Sequence, residues 1–192
     1  LIKRFLKLIK VIKFYLFGNI LYFINISLNI LIIKYLLSDY DAGIFFAAFS
    51  IILGMQLFSE ATVRTFSFQY YKKSRKNIDL IKKFFLKNIK FLVILILPIC
   101  LFIFYYSSII IEILYGKEYL LSSKILEKLV FIIPLKLIIT NLSLIIVTIK
   151  KAYYDTLAEF ITVLIKIPLM IYCTYYYGLI GAVFALIILE VI

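Results

Sequence analysis

Polar residues gather in a few short stretches of this chain, and the runs between them are almost wholly apolar. Those runs approach the roughly twenty residues that a helix rising about 1.5 Å per residue needs to cross a hydrocarbon core about 30 Å thick. The pattern predicts six spans: A over 14–37, B over 44–63, C over 91–114, D over 129–149, E over 156–175 and F over 179–192. The fold expected is an all-α polytopic membrane protein. Span F has only fourteen residues, about two thirds of the core thickness. Together with a first residue that is Leu, this reads as a fragment of something longer.

Within the spans the polar positions keep helical spacing. In A, Gly18, Tyr22, Asn25 and Asn29 follow a four-three-four rhythm that places them on one stripe. An Asn against lipid is costly, so this stripe is expected to face other helices or a wet cavity. In B, Gly43, Ala47, Ser50 and Gly54 form a stripe of small side chains that permits close helix approach. Span C carries Pro98 as an expected kink, and D carries Pro134, Lys136 and Asn141.

The stretch 64–90 holds nine Lys or Arg against one acid, Asp79. Cytoplasmic loops collect positive charge, so 64–90 is placed inside the cell, its second half from 78 as an amphipathic helix on the membrane surface. Residues 1–13, with Lys3, Arg4, Lys7, Lys10 and Lys13 at helical spacing, read as a basic interfacial helix ahead of span A. Counting outward from 64–90, inside segments hold sixteen basic residues: five before span A, nine in 64–90, and Lys150 and Lys151. Outside segments hold four: Lys34, Lys117, Lys124 and Lys128. Both ends are therefore assigned to the cytoplasm.

Composition changes the picture by exclusion. Hydrophobic residues make up 65% of the 192 and charged ones 17%, below the roughly 25% of soluble domains, so the bilayer is the expected solvent. The formal charge of +12 sits between apolar runs, which points to membrane lipids and not to nucleic acid as its partner. With no His in the chain, no Ser-His or Cys-His nucleophile pair and no His metal site exists. Cys100 and Cys173 lie in apolar runs as packing residues. No catalytic residue, metal or cofactor is expected.

Lys136 and Lys166 are the two basic residues inside spans. By residue count their depths differ by about 3 Å, so they are candidates for one cationic site near mid-membrane, where such residues mark substrate or ion paths. Glu190 lies at similar depth, and a purely structural Lys166–Glu190 ion pair is the competing reading. Glu159, one turn inside span E, is read as an interfacial carboxylate.

The run ILYGKEYLLSSKILEKLVFIIP over 113–134 resembles a passage of bacterial polysaccharide exporters and O-antigen flippases. These belong to the multidrug, oligosaccharidyl-lipid and polysaccharide exporter superfamily. YYGLIGAVFAL over 176–186 is similar to that family's "GxxGAAxA" entry into a late helix, and DAGIFFAAFSI over 41–51 to its "xGxYxxAxxI" helix. In this order the three motifs match the C-terminal six-helix lobe of a two-lobed transporter. The resemblance implies alternating-access transport of a polyprenyl-diphosphate-linked oligosaccharide across the bacterial cytoplasmic membrane, without covalent chemistry. It also implies a need for a missing N-terminal lobe or a second copy. On that picture Lys136 and Lys166 are expected headgroup contacts, and Asn25 and Asn29 polar lining. None of the three motifs contains these four residues.

Other readings stay open at this level. A drug or cation antiporter, or a lipid II flippase, belongs to the same superfamily; the antiporter would carry membrane carboxylates, and of these only Glu190 lies deep. A membrane enzyme of envelope synthesis would need catalytic residues in an outer loop, yet 115–128 has neither His nor Asp. A non-transporting membrane subunit is the third alternative.

Overall fold

In the computed structural model, residues 2–74, 78–149 and 152–190 are described; for 2–15, 64, 73, 74, 78 and 152 only the backbone is. Among the described residues seven α-helices follow one another: α1 (Ile2–Leu36), α2 (Asp39–Ser74), α3 (Ile78–Tyr105), α4 (Ser107–Tyr115), α5 (Leu121–Leu129), α6 (Ile132–Thr148) and α7 (Ala152–Leu189). A single 3-10 turn, Lys117–Tyr119, separates α4 from α5, and no strand occurs among the described residues. Among the described residues four helices are long and apolar enough to cross a membrane, and α5 with α6, bent by 42° at their junction, makes a fifth candidate. The molecule is an all-α polytopic membrane protein.

The helices run further than the apolar spans. Span A lies within α1, which is already helical from Ile2, so 2–13 runs into span A as one continuous helix. The expected basic face of Lys3, Arg4, Lys7, Lys10 and Lys13 lies outside the described side chains. Span B lies within α2, whose 36 residues extend about 54 Å. Within the basic stretch, 64–74 is the end of α2 and not a loop, and 78–90, where a helix is expected, is the first part of α3. The side chain of Arg64 and residues 75–77 fall outside the description. Lys and Arg are good helix formers, so a charge run marks where a helix leaves the hydrocarbon without ending it.

Where helices do stop, local chemistry accounts for it. Ser38 opens α2: its hydroxyl accepts from the Asp41 amide at 3.0 Å and donates to the Asp41 carboxylate at 2.6 Å, which satisfies a free N–H of the first turn. Span C is interrupted at Tyr106, between α3 and α4, and Pro98 lies inside α3. Pro134 is the third residue of α6, in the first turn, where its missing N–H costs no helical bond.

Spans E and F are the two arms of α7. At Gly178 the backbone takes φ 60°, ψ −146°, a conformation that favours glycine, and the chain doubles back. A Cβ on Gly181 would lie 1.9 Å from the Cys173 carbonyl oxygen, although eight residues of straight helix span about 12 Å. The arm 152–177 and the arm 179–189 thus form a hairpin that both glycines permit.

The core lies between α2, α3, α5, α6 and the hairpin, with Phe45, Ile52, Leu92, Ile96, Leu126, Leu137 and Met170 fully buried. The buried face of α2 carries Ile44, Phe45, Ala48, Phe49 and Ile52. It is rotated from the small-residue stripe read in the sequence: Ala47 is buried, but Gly54 is exposed, and a Cβ added to it would meet nothing within 4 Å. Exposed tyrosines lie at both ends: Tyr35, Tyr40, Tyr105, Tyr175, Tyr176 and Tyr177 form a rim where α1 meets α2, where α3 ends and at the hairpin turn, and Tyr71, Tyr153 and Tyr154 lie at the opposite end. Exposed Lys72, Lys82, Lys83, Lys87 and Lys90 mark the other end. An aromatic rim and a basic rim are what two membrane interfaces select.

Candidate functional site

The polar stripe of α1 faces protein. Beside Gly18 is Thr156, whose hydroxyl oxygen would lie 3.3 Å from a Cβ there. One turn on, the Gln56 amide of α2 donates to the Tyr22 hydroxyl. Asn25 reaches α7: its side-chain amide donates to Glu159 Oε1 at 2.7 Å. Lys166 Nζ donates to the Asn25 backbone carbonyl at 2.8 Å and to its Oδ1. Asn29 is 1% exposed, and its Oδ1 has no hydrogen-bond partner.

The hairpin brings the remaining charges to the same depth. Lys166 and Glu190 each lie twelve residues from Gly178, on opposite arms, so folding at that glycine sets them side by side. Glu190 Oε1 lies 2.6 Å from Lys136 Nζ of α6. The ion pair read in the sequence as Lys166–Glu190 therefore falls on Lys136, while Lys166 turns to Asn25. The reason is rotational: Lys166 shares a helix face with Glu159, Val163 and Met170, and its buried side chain, 5% exposed, points at α1.

Lys136, Glu190 and Glu159 are the charged groups that act on Lys166, and Glu60, Glu159 and Glu190 act on Tyr22. One polar cluster thus joins α1, α2, α6 and both arms of α7. It brings together three of the four sequence candidates, Asn25, Lys136 and Lys166, and the ion-pair candidate Glu190. Asn29 lies about one turn further along α1. Glu159, read as interfacial, joins the cluster through its hydrogen bond with Asn25. Its spacing to Lys166, seven residues and hence one face of a helix, is the signal that identifies it.

The arrangement is close to neutral. Lys136 is compensated directly by Glu190, and Lys166 is linked through Asn25 to Glu159. Leaving a lone charge at mid-membrane costs about 2.5–3.5 kcal/mol, which accounts for each lysine having a carboxylate within one or two hydrogen bonds. Beside the cluster a cleft of about 230 Å³ is lined by Ala158, Ile161, Thr162 and Ile165 of one hairpin arm and Leu189 of the other. Among the described residues no group of three or more Cys, Asp or Glu is placed to hold a metal ion.

A second polar group, of which the sequence points only to Asn141, lies away from these charges. Asn88 of α3 donates at 3.3 Å to the Tyr70 hydroxyl of α2 and to Asn141 Oδ1 of α6. The Asn141 amide donates to the Leu137 carbonyl at 2.9 Å. All three side chains are buried.

Residues 2–124 match a family model described as polysaccharide biosynthesis protein. No curated protein and no solved structure matches the chain.

Proposed function

Because the chain belongs to the polysaccharide biosynthesis protein family, we propose that it serves the membrane-crossing step of that process, moving a polyprenyl-diphosphate-linked oligosaccharide between leaflets. The observation that carries this reading is the pair of lysines, Lys136 and Lys166, held in one cluster inside a membrane-spanning bundle. Intramembrane ionisable groups by default mark a substrate path, and an ammonium donor attracts phosphate strongly where water is scarce. Lys136 and Lys166 are the headgroup contacts, with Asn25 positioning Lys166. The chain works by alternating access and makes no covalent bond to its cargo; a second lobe or second copy supplies the facing half. The basic rim faces the cytoplasm across the bacterial inner membrane.

The test is transport of a fluorescent polyprenyl-diphosphate saccharide in proteoliposomes made with the purified native assembly. Transfer that is protein-dependent and lost in the Lys136→Ala, Lys166→Ala double variant is the expected result. Protein-dependent transport unchanged in the double variant sinks the headgroup site. Failure of the native assembly to transport, with reconstitution verified, sinks the flipping step itself.

A further inference from the structure

The two lysines differ in how firmly they are held. Lys166 is 5% exposed and bonded to both the backbone and the side chain of Asn25, which in turn holds Glu159. That chain of contacts is directional, with Lys166 buried and Asn25 and Glu159 half-buried. Lys136 and Glu190 meet in one contact of 2.6 Å, with side chains 22% and 18% exposed. Leu189, the neighbour of Glu190, lines the cleft between the hairpin arms. The accessible pair is therefore the one whose carboxylate directly follows the short arm 179–189.

A phosphate group arriving at this cluster meets lysines that are already compensated. For it to bind Lys136 a negative charge must leave, since two anions sharing one ammonium repel each other at short range. We infer that Glu190 is an exchangeable counterion: a diphosphate headgroup displaces it from Lys136, and its return expels the headgroup. The exchange needs no proton and no covalent step, because one anion replaces another. Glu159, fixed through Asn25, stays in place and holds Lys166 as the constant part of the site. In the resting protein Glu190 keeps Lys136 from remaining unpaired, which also protects the site against other phosphates. This inference rests on the transport reading and adds to it a built-in competitor for the cargo.

The experiment measures binding of saccharide-free polyprenyl diphosphate to the purified native assembly, with polyprenol as the uncharged control, alongside the transport assay. Glu190→Gln is expected to tighten diphosphate binding about tenfold, near the low end of what removing one adjacent negative charge does, and to slow transport because release is impaired. Lys136→Gln is expected to weaken binding and, combined with Glu190→Gln, to erase the gain. Polyprenol binding should not move in any variant. Glu190→Asp, which keeps the charge but shortens its reach, guards against a folding defect and is expected to tighten binding to a smaller extent. If the unaltered assembly binds and transports while neither Glu190 variant tightens binding, the exchange is wrong and the transport reading stands. If the unaltered assembly neither binds the diphosphate nor transports, both fall. Equal tightening by Glu159→Gln also overturns the assignment, because it makes the effect one of general charge and not of this pair.

Discussion

A buried neutral group and a half-buried charged group solve the same problem in this bundle with different chemistry. Tyr70, Asn88 and Asn141 tie α2, α3 and α6 together with neutral groups, whereas Lys136, Glu190, Lys166, Asn25 and Glu159 tie α6 and α1 to the α7 hairpin with charges. Neutral hydrogen bonds between membrane helices contribute about 0.6 kcal/mol on average and up to about 1.7. A charged pair contributes little net stability, yet removing one partner costs about 3–5 kcal/mol, because the other is left buried alone. A cluster that is dear to break and cheap to rearrange suits a site whose partners change. The amide group suits a fixed joint.

Of the two groups only the charged cluster depends on the α7 hairpin, and removing that hairpin has the largest expected effect. In Gly181→Ala the new Cβ would meet backbone, the Cys173 carbonyl oxygen at 1.9 Å and carbon at 2.6 Å, and backbone cannot move aside as a flexible side chain does. The expected outcome is loss of most folded protein, read as the monodisperse fraction by size-exclusion chromatography in detergent. Retention of a normal fraction would show that the two arms are not so closely apposed.

Next in size is Lys166→Leu, which removes the donor at the centre of the charged cluster. Glu159 and Glu190 lose a nearby positive charge, and stability is expected to fall by about 3–5 kcal/mol, with transport abolished. The charge-reversed double variant Lys136→Glu, Glu190→Lys restores the contact in mirror form. It is expected to recover folding but not transport, because the ammonium then sits on the other helix. Thermal unfolding in detergent beside the transport assay separates the two effects.

Much of this architecture is legible in the sequence, and the physics explains which parts. Apolar run length finds the long helices because bilayer thickness sets it, although four or five candidate spans stand among the described residues where six were read, and the polar stripe of span A names Asn25 because an amide is excluded from lipid. The glycines of GLIG mark the turn between E and F. Helix ends are not legible from charge: the 64–90 stretch signals topology, while α2 and α3 carry it without unwinding. The pairing is not legible from depth, since Lys136, Lys166 and Glu190 all fall within about 6 Å along the membrane normal, and rotation about each helix axis decides between them. Tyr70 and Asn88 escape notice because they lie in a basic stretch read as a loop up to 77 and as a surface helix from 78, where a polar side chain is expected to meet water. In α2 the small-residue stripe misleads: Gly54 is exposed while the larger Phe45, Phe49 and Ile52 face the core.

A milder substitution sharpens the contrast from the neutral side. Asn88→Leu removes a donor shared between Tyr70 and Asn141 at 3.3 Å each; the two weak bonds and the acceptors left behind are together expected to cost about 1–2 kcal/mol. Transport by the protein that remains folded should stay within about twofold, a change of less than about half a kcal/mol in the barrier. A large transport loss at unchanged stability would move Asn88 from the fixed joint into the moving part.

The smallest expected effect is at Asn29, which belongs to the stripe of α1 but to neither cluster. It is 1% exposed and its Oδ1 accepts no hydrogen bond, so the residue carries a desolvation cost without a matching contact at that atom. Asn29→Leu, close in size, is expected to leave thermal stability unchanged or raise it by up to about 1 kcal/mol. If Asn29 serves only as helix packing, transport is unaffected. If its amide faces the cargo in another stage of the cycle, transport falls while stability rises. That combination is the signature of a polar group retained for function at a cost to the resting fold, and it would extend the path of the headgroup about one helical turn along α1 from Asn25 toward the aromatic rim.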